Sequence, residues 1–272
     1  MKKVLVFLLA ILTVAVLAPQ GQAAYPDKPI TYQIPFGPGG QSDLEARRQQ
    51  PRLEEILGVK VVVVYKPGGG GSVGWANLVQ QKPDGYFISG INIPHIILQP
   101  LARGNAGYET EQLKPIALFQ ATPIGLAVLK GSKFKYIPES GAAKSIAAFL
   151  GGHVQAVWAN SNDLVQHADK IRVLAFGTKK PFPNMPNVPT FESLGYKLYA
   201  SIDRGVGAPP GTPDDIIKVL ENAFLKIASD PKIQEQMKRD GFVPLAMDAM
   251  ETKAYIEEMT REWAPVVKEF KK

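Results

Sequence analysis

The sequence predicts an α/β fold built on a parallel sheet. Three observations carry that expectation. The composition of the 272 residues is that of a globular chain, 45% hydrophobic, 21% charged and 9% aromatic, which excludes disorder and fibrous architectures. The order strand, glycine-rich loop, helix occurs twice in succession near the start. Beyond the N-terminal stretch, no run is apolar for long enough to span a bilayer.

In chain order, Lys2 and Lys3 precede an apolar run over 4–18 and then Gly21-Gln22-Ala23, the pattern of a secretory signal peptide (1–23) cut near Ala23. Its removal takes two lysines from a net charge of +6, and the remaining basic residues are spread along the chain, so nucleic acid is not the expected partner. Ile30, Tyr32, Ile34 and Phe36 alternate as in a strand. The loop 37–42 leads into a helix over 43–57, closed by Gly58. The β-branched run 59–65 predicts a strand buried on both faces. The loop 68–71 opens a short helix ending near Val79, and Pro83-Asp84-Gly85 turns into a strand over 86–91. The middle, 134–205, mixes short strands with proline-rich connections. Gly211-Thr212-Pro213-Asp214-Asp215 then caps a helix whose Ile216, Leu220, Phe224 and Ile227 share one face. Asp230-Pro231 starts another helix that ends at Gly241, and Tyr255, Met259, Trp263, Val266 and Phe270 form a last stripe read as core packing.

The absence of cysteine removes disulfides, thiolate metal sites and a cysteine nucleophile. His95, His153 and His167 lack the close spacing of a zinc motif, so neither a metal nor a cofactor is expected. One loop fits two patterns. Gly69, Gly71 and Gly74 match a dinucleotide fingerprint, and Gly70, Ser72 and Gly74 match a nucleophile elbow. Four consecutive glycines meet many patterns by chance, and no acid stands near Asn92, where a dinucleotide ribose would need one. An exported serine esterase would use Ser72, with Asp163 and His167 following in the required order. A simpler use is available: both glycine loops start helices at one end of a sheet, where free N–H groups and the helix dipole hold an anion, most naturally a carboxylate. The bland alternative is that both loops are only tight turns.

At these loops the sequence resembles a known family. Tyr25-Pro26-Asp27-Lys28-Pro29-Ile30, Pro35-Phe36-Gly37-Pro38-Gly39-Gly40-Gln41-Ser42-Asp43, Lys66-Pro67-Gly68-Gly69-Gly70-Gly71-Ser72-Val73-Gly74 and Pro83-Asp84-Gly85-Tyr86 occur in the order seen in Bug-type receptors. These are the periplasmic substrate-binding proteins of tripartite tricarboxylate transporters. Leu150-Gly151-Gly152-His153-Val154, Val188-Pro189-Thr190, Ala208-Pro209-Pro210-Gly211-Thr212-Pro213 and Trp263-Ala264-Pro265-Val266-Val267 continue the match almost to the C-terminus.

The resemblance implies a two-lobed flytrap of the type II periplasmic-binding-protein class with parallel-rich sheets. Lobe one would comprise 24–124 and 205–272, and lobe two 125–204. It implies ligand contacts from Phe36, Gly39, Gly40, Gln41, Ser42 and Asp43 in one loop and from Gly69, Gly70, Gly71 and Ser72 in the next. Lobe two would add backbone at Gly141 and Ala142, and Asn160 lies near a further pocket loop, where a plain turn asparagine is the other reading. One departure stands out. Gly131-Ser132-Lys133-Phe134-Lys135 runs directly into Tyr136, where the family has more than the ~30 residues of a βαβ unit, including a Gly/Ser/Thr loop and two helices. The expectation is therefore a periplasmic, monomeric, non-enzymatic receptor that passes a small organic carboxylate to membrane transporter subunits, with a shortened second lobe. The rivals are the esterase and a deletion product that no longer binds ligand.

Overall fold

The computed structural model describes residues 25–128 and 142–270, so the signal-peptide pattern and Gly141 lie outside the described residues. The elements in chain order are β1 (Ile30–Ile34), α1 (Gln41–Leu57), β2 (Val61–Tyr65), α2 (Ser72–Leu78), β3 (Phe87–Ile93), α3 (His95–Arg103) and β4 (Lys114–Val128). Then follow α4 (Ala142–Leu150), β5 (Ala156–Asn160), α5 (Ser161–Gln166), β6 (Arg172–Phe176), β7 (Ser201–Ala208), α6 (Asp214–Ala228), α7 (Pro231–Arg239), β8 (Val243–Met247) and α8 (Ala249–Phe270).

The two strand–glycine loop–helix units form as expected. β1 lies between β2 and β3 and runs parallel to both, with α1 and α2 as the connecting helices. Gly58 ends α1 in the left-handed conformation, its N–H bonded to Glu54 O. β2 is the outer strand, so Val62 is 48% exposed and the expected burial on both faces does not occur there. A strand at an edge has only one neighbour, and the run of valines alone does not reveal its position.

β4 ties the molecule together. Over 114–123 it lies in the first sheet against β7 and β8, and from Ile124 onward it pairs with β5 and β6 in a second sheet. Pro115 sits at a register shift and Pro123 at the last pairing with β7, opposite Ser201. Prolines give no ladder N–H, which is why they fall where the pairing changes. The two sheets are the centres of two lobes. The parallel pairing expected of the sheets is found at β2–β1–β3, whereas β3–β7, β7–β4, β4–β8, β4–β5 and β4–β6 are antiparallel. The cause is that β4 and β7 lie side by side and run in opposite senses through the first sheet.

Each face of the first sheet has its own core. Tyr32, Ile88, Phe119, Leu220 and Phe224 pack between the sheet, α1 and α6, and Trp75, Ile91, Ile97, Leu118 and Ile256 pack with α2, α3 and α8 on the other side. Tyr255 and Met259 join that second core as expected of the C-terminal stripe, but Val266 is exposed. In the second lobe Val157, Ala159, Phe149, Leu164 and Phe176 bury one face of the small sheet. Trp158, pointing the other way by strand alternation, is 48% exposed and stacks on Phe191 at 5.4 Å.

Candidate functional site

The structure uses the two glycine loops differently. The first, between β1 and α1, is pinned by Asp43, whose carboxylate accepts from the Gly39 amide (2.8 Å), the Tyr65 hydroxyl (2.7 Å) and Arg47 Nε (2.9 Å). Burial alone raises the Asp43 pKa, but these donors and the Arg47 charge outweigh it and hold the carboxyl below the usual range. Asp43 is thereby committed to shaping the loop. Gly40 stands in extended conformation at the start of α1, and Phe36 packs edge-on to both Trp75 and His95, at 6.1 Å each. Behind the loop, Gln41 is buried and the Ser42 hydroxyl accepts from Asn92 Nδ2 at 3.2 Å.

The second loop closes on its own helix and on α3. Gly69, Gly70 and Gly71 make one tight turn with left-handed φ throughout, and a Cβ on Gly71 would stand 2.4 Å from the Trp75 ring. Ser72 Oγ donates to Gly69 O at 3.0 Å, and none of its described hydrogen bonds reaches an imidazole. Asp163 is bonded to Gln41, Asn160 and Asn162. Ser72, Asp163 and His167 are therefore not joined by the described hydrogen bonds in the way a nucleophilic triad requires.

A buried polar cluster that the sequence reading missed lies where the two sheets meet. Asn92 on β3, Arg204 on β7 and Gln120 on β4 are direct cross-strand neighbours, so their side chains stand side by side on one face. Arg204 is 6% exposed; its Nη1 donates to Thr122 Oγ1 (2.5 Å) and Ile202 O (3.2 Å), and its Nε has no partner. Among the described residues it makes no ion pair. Burial lowers its pKa to about 10, against the pull of Glu45, Asp203 and Asp163, so it is a cation at neutral pH. Burial pushes all three of those carboxyl groups up. Glu45 is met by Arg48 at 2.7 Å and by Gln49 at 3.0 Å, and Asp203 by the hydroxyls of Ser201 and Tyr255 at 2.5 Å each. His95 is lowered to about 4 by burial first and by Arg204 second, which leaves it neutral with Nδ1 unpartnered.

The cluster spans both lobes. Gln41 Nε2 donates to Asn162 Oδ1 and, at 3.0 Å, to Asp163 Oδ2, both on α5. Asn160 ends β5 and occupies the N-cap position of α5, with its Nδ2 at 3.4 Å from Asp163 Oδ2. Of the residues singled out in the sequence, the structure thus joins Gln41, Ser42 and Asn160 to the cluster and sets Phe36, Gly39, Gly40 and Asp43 at its margin. Gly69, Gly70, Gly71 and Ser72 pack toward Trp75 and Gln99, and Ala142 opens α4. Asn92, His95, Gln120, Asp163 and Arg204 are the additions. The one sequence signal for Arg204 is a charged pair, Asp203-Arg204, inside a strand of small and apolar residues.

A buried guanidinium without an ionic partner is unusual, because a desolvated charge is normally paired. It fits a carboxylate or another planar anion, which it can hold with two parallel hydrogen bonds. A groove of about 860 Å³ on the first lobe, edged by Lys114, Asp214, Met250 and Lys253, differs in kind from the polar cluster. Its Lys114–Asp214 pair is closed on itself at 2.5 Å, and none of the unpartnered buried polar atoms lies there.

Two sheets joined by β4, with a polar cluster contributed from both sides, define a two-lobed binding protein. The family model described as "Tripartite tricarboxylate transporter family receptor" matches residues 45–133 and 125–271. The chain belongs to that family. BugT of Bordetella pertussis is 26% identical over 307 aligned positions, which cover 95% of this chain and 94% of BugT. The solved periplasmic binding protein BugD superposes with a TM-score of 0.81 at 25% identity, covering 90% of this chain and 98% of that one. MatC from Rhodopseudomonas palustris, solved with bound malate, shares the fold at a TM-score of 0.82 and 18% identity, covering 89% of this chain and all of that one. The alignment with BugT is longer than the 272 residues of this chain, and the family model matches in two pieces that meet at 125–133. An alignment of that length requires gaps in this chain, and the junction 131–136, where the sequence departs from the family pattern, lies outside the described residues.

Proposed function

We propose that this chain is an extracytoplasmic receptor that closes its two lobes on a small organic carboxylate and delivers it to the membrane subunits of a tripartite tricarboxylate-type transporter. The observation that carries the reading is Arg204, a buried and unpaired cation at the junction of the lobes. Family membership and a relative solved with malate support the same ligand class. Gly39, Gly40 and the start of α1 would add backbone donors, and Gln41 and Asn160 would read the ligand from opposite lobes. No bond is made or broken; the work is closure, in which the ligand stabilises the closed arrangement by its contacts to both lobes. The signal peptide, cut near Ala23, would export the chain. No helix among the described residues is long and apolar enough to cross a membrane.

Thermal unfolding of the signal-free chain against mono-, di- and tricarboxylates with neutral controls tests this. A carboxylate present at ~100 times its dissociation constant stabilises the fold by about 2.7 kcal/mol, several degrees in Tm. A single transition moved by no carboxylate would leave the chain a ligand-blind deletion product.

A further inference from the structure

We propose that lobe two carries a docking surface for an anionic lipid membrane, formed by Trp158 and the loop 191–199 together with Lys179, Lys180 and Lys197. The surface shares no residue with the polar cluster and does not depend on what that cluster binds.

The loop is held outward by its own backbone. Phe191 N–H donates to Phe176 O at 2.9 Å, Gly195 stands at a φ of +90°, and Tyr196 N–H folds back to Phe191 O at 2.9 Å. Ala200 N–H donates to Gly177 O at 2.9 Å and closes the far end. Between these anchors every residue from Glu192 to Tyr199 is exposed. Four of those side chains are large and apolar: Leu194 (52% exposed), Tyr196 (65%), Leu198 and Tyr199. Trp158 joins them from β5 through its stack on Phe191. Apolar side chains scattered singly over a surface need no explanation, but a cluster held out in this way marks a contact surface.

The charges say what it contacts. Lys197 stands between Tyr196 and Leu198, and Lys179 Nζ lies 5.4 Å from the centre of the Tyr199 ring, with Lys180 next to it in the chain. All three lysines are exposed, and none takes part in a described ion pair. The acid within the loop, Glu192, already accepts from the Tyr199 hydroxyl at 2.5 Å. The patch is therefore aromatic, aliphatic and positive. Surfaces that meet another protein are depleted of lysine, which makes a second copy of this chain a poor fit. Tryptophan and tyrosine rings with leucine beside them suit the headgroup layer of a bilayer, and lysines among them attract anionic headgroups while their stems lie along the apolar surface.

The test is co-sedimentation of the signal-free chain with vesicles of phosphatidylcholine alone and of phosphatidylcholine with about one-third phosphatidylglycerol. Binding to the anionic vesicles should be at least about tenfold stronger, and raising the salt from about 0.05 M to 0.5 M should remove most of that difference. The triple variant Lys179→Gln/Lys180→Gln/Lys197→Gln should lose at least about tenfold in binding. The control Lys66→Gln/Lys82→Gln/Lys226→Gln, which removes the same charge from exposed positions on lobe one, should stay within about threefold of wild type. Vesicles should also shift the tryptophan emission to the blue, and Trp158→Phe, which keeps an aromatic ring on Phe191, should abolish that shift. Equal binding to the two kinds of vesicle, or to neither, would overturn the proposal. So would equal losses in the two triple variants. A lipid-free dimer in sedimentation equilibrium that Tyr196→Ser dissociates would assign the surface to a second copy instead. If a variant does not fold, the wild-type comparison of lipids and salts decides.

Discussion

Arg204→Gln separates a ligand anchor from a structural brace. The substitution removes the Nη1 hydrogen bonds to Thr122 and Ile202, worth about 1 kcal/mol net each. It also removes a buried cation with no ionic partner, whose desolvation costs several kcal/mol. Glu45, Asp163 and Asp203 lose an attractive neighbour, which offsets part of that gain. The terms nearly cancel, so the ligand-free stability should stay within about 1 kcal/mol of wild type, or about 2–4 °C in Tm. Ligand binding should respond very differently. Truncating one partner of a buried charge pair costs about 2–5 kcal/mol, a rise in Kd of about 30-fold to a few thousand-fold. Differential scanning fluorimetry without ligand and calorimetric titration with the carboxylate that stabilises the wild type measure the two effects separately. A Kd within about threefold of wild type, with the ligand-free Tm lowered by more than about 10 °C, would refute the reasoning and make Arg204 a brace.

Three further outcomes follow from the same geometry. Gly71→Ala places a Cβ 2.4 Å from the Trp75 ring at a φ of +99°, and should cost about 1–3 kcal/mol in urea unfolding. His95 is neutral in the fold, with its pKa lowered to about 4 from 6.5, so the unfolded chain binds one more proton between those values and the wild type loses stability as pH falls through that window. Relative to His95→Gln, that loss should reach about 3 kcal/mol between pH 7 and pH 4, read from denaturant midpoints across the range. Trp158→Ser, on the half-exposed face of the second sheet, should change stability by less than about 1 kcal/mol, in contrast to the ~3–5 kcal/mol expected for Phe224→Ala in the core.

The first half of lobe one was legible because local signals and tertiary structure agree there: Ile30, Tyr32 and Ile34 alternate, glycines stand where φ is positive, and α1 ends at Gly58. The helices α6 and α7 were legible for the same reason, with Asp230 accepting from Lys232 N and Pro231 in the first turn. β4 was not recognised as one strand through both lobes. Pro115 and Pro123 interrupt its pattern, and the pairing change that accommodates them is a tertiary event. The position of β2 at the sheet edge was hidden as well, since valines suit an edge and a centre equally by propensity.

The candidate site was half legible. Gln41, Ser42 and Asn160 were found through the resemblance, because they lie in or beside loops with a recognisable glycine or turn signature. Arg204, Gln120 and Asn92 come from three strands far apart in sequence and meet only through the β3–β7–β4 register. No local pattern marks such a cluster. The double match of the second glycine loop reflects tight packing against Trp75 and Gln99, which requires glycine for steric reasons alone.

The central claim is that one small carboxylate is held at the junction of the two lobes. A crystal structure grown with the carboxylate that most raises Tm tests it directly. The account predicts a carboxylate oxygen within hydrogen-bond reach of the Arg204 guanidinium, with Gln41 and Asn160 contacting the same molecule from opposite lobes. Ligand density in the groove beside Lys114 and Met250, with Arg204 untouched, would contradict it.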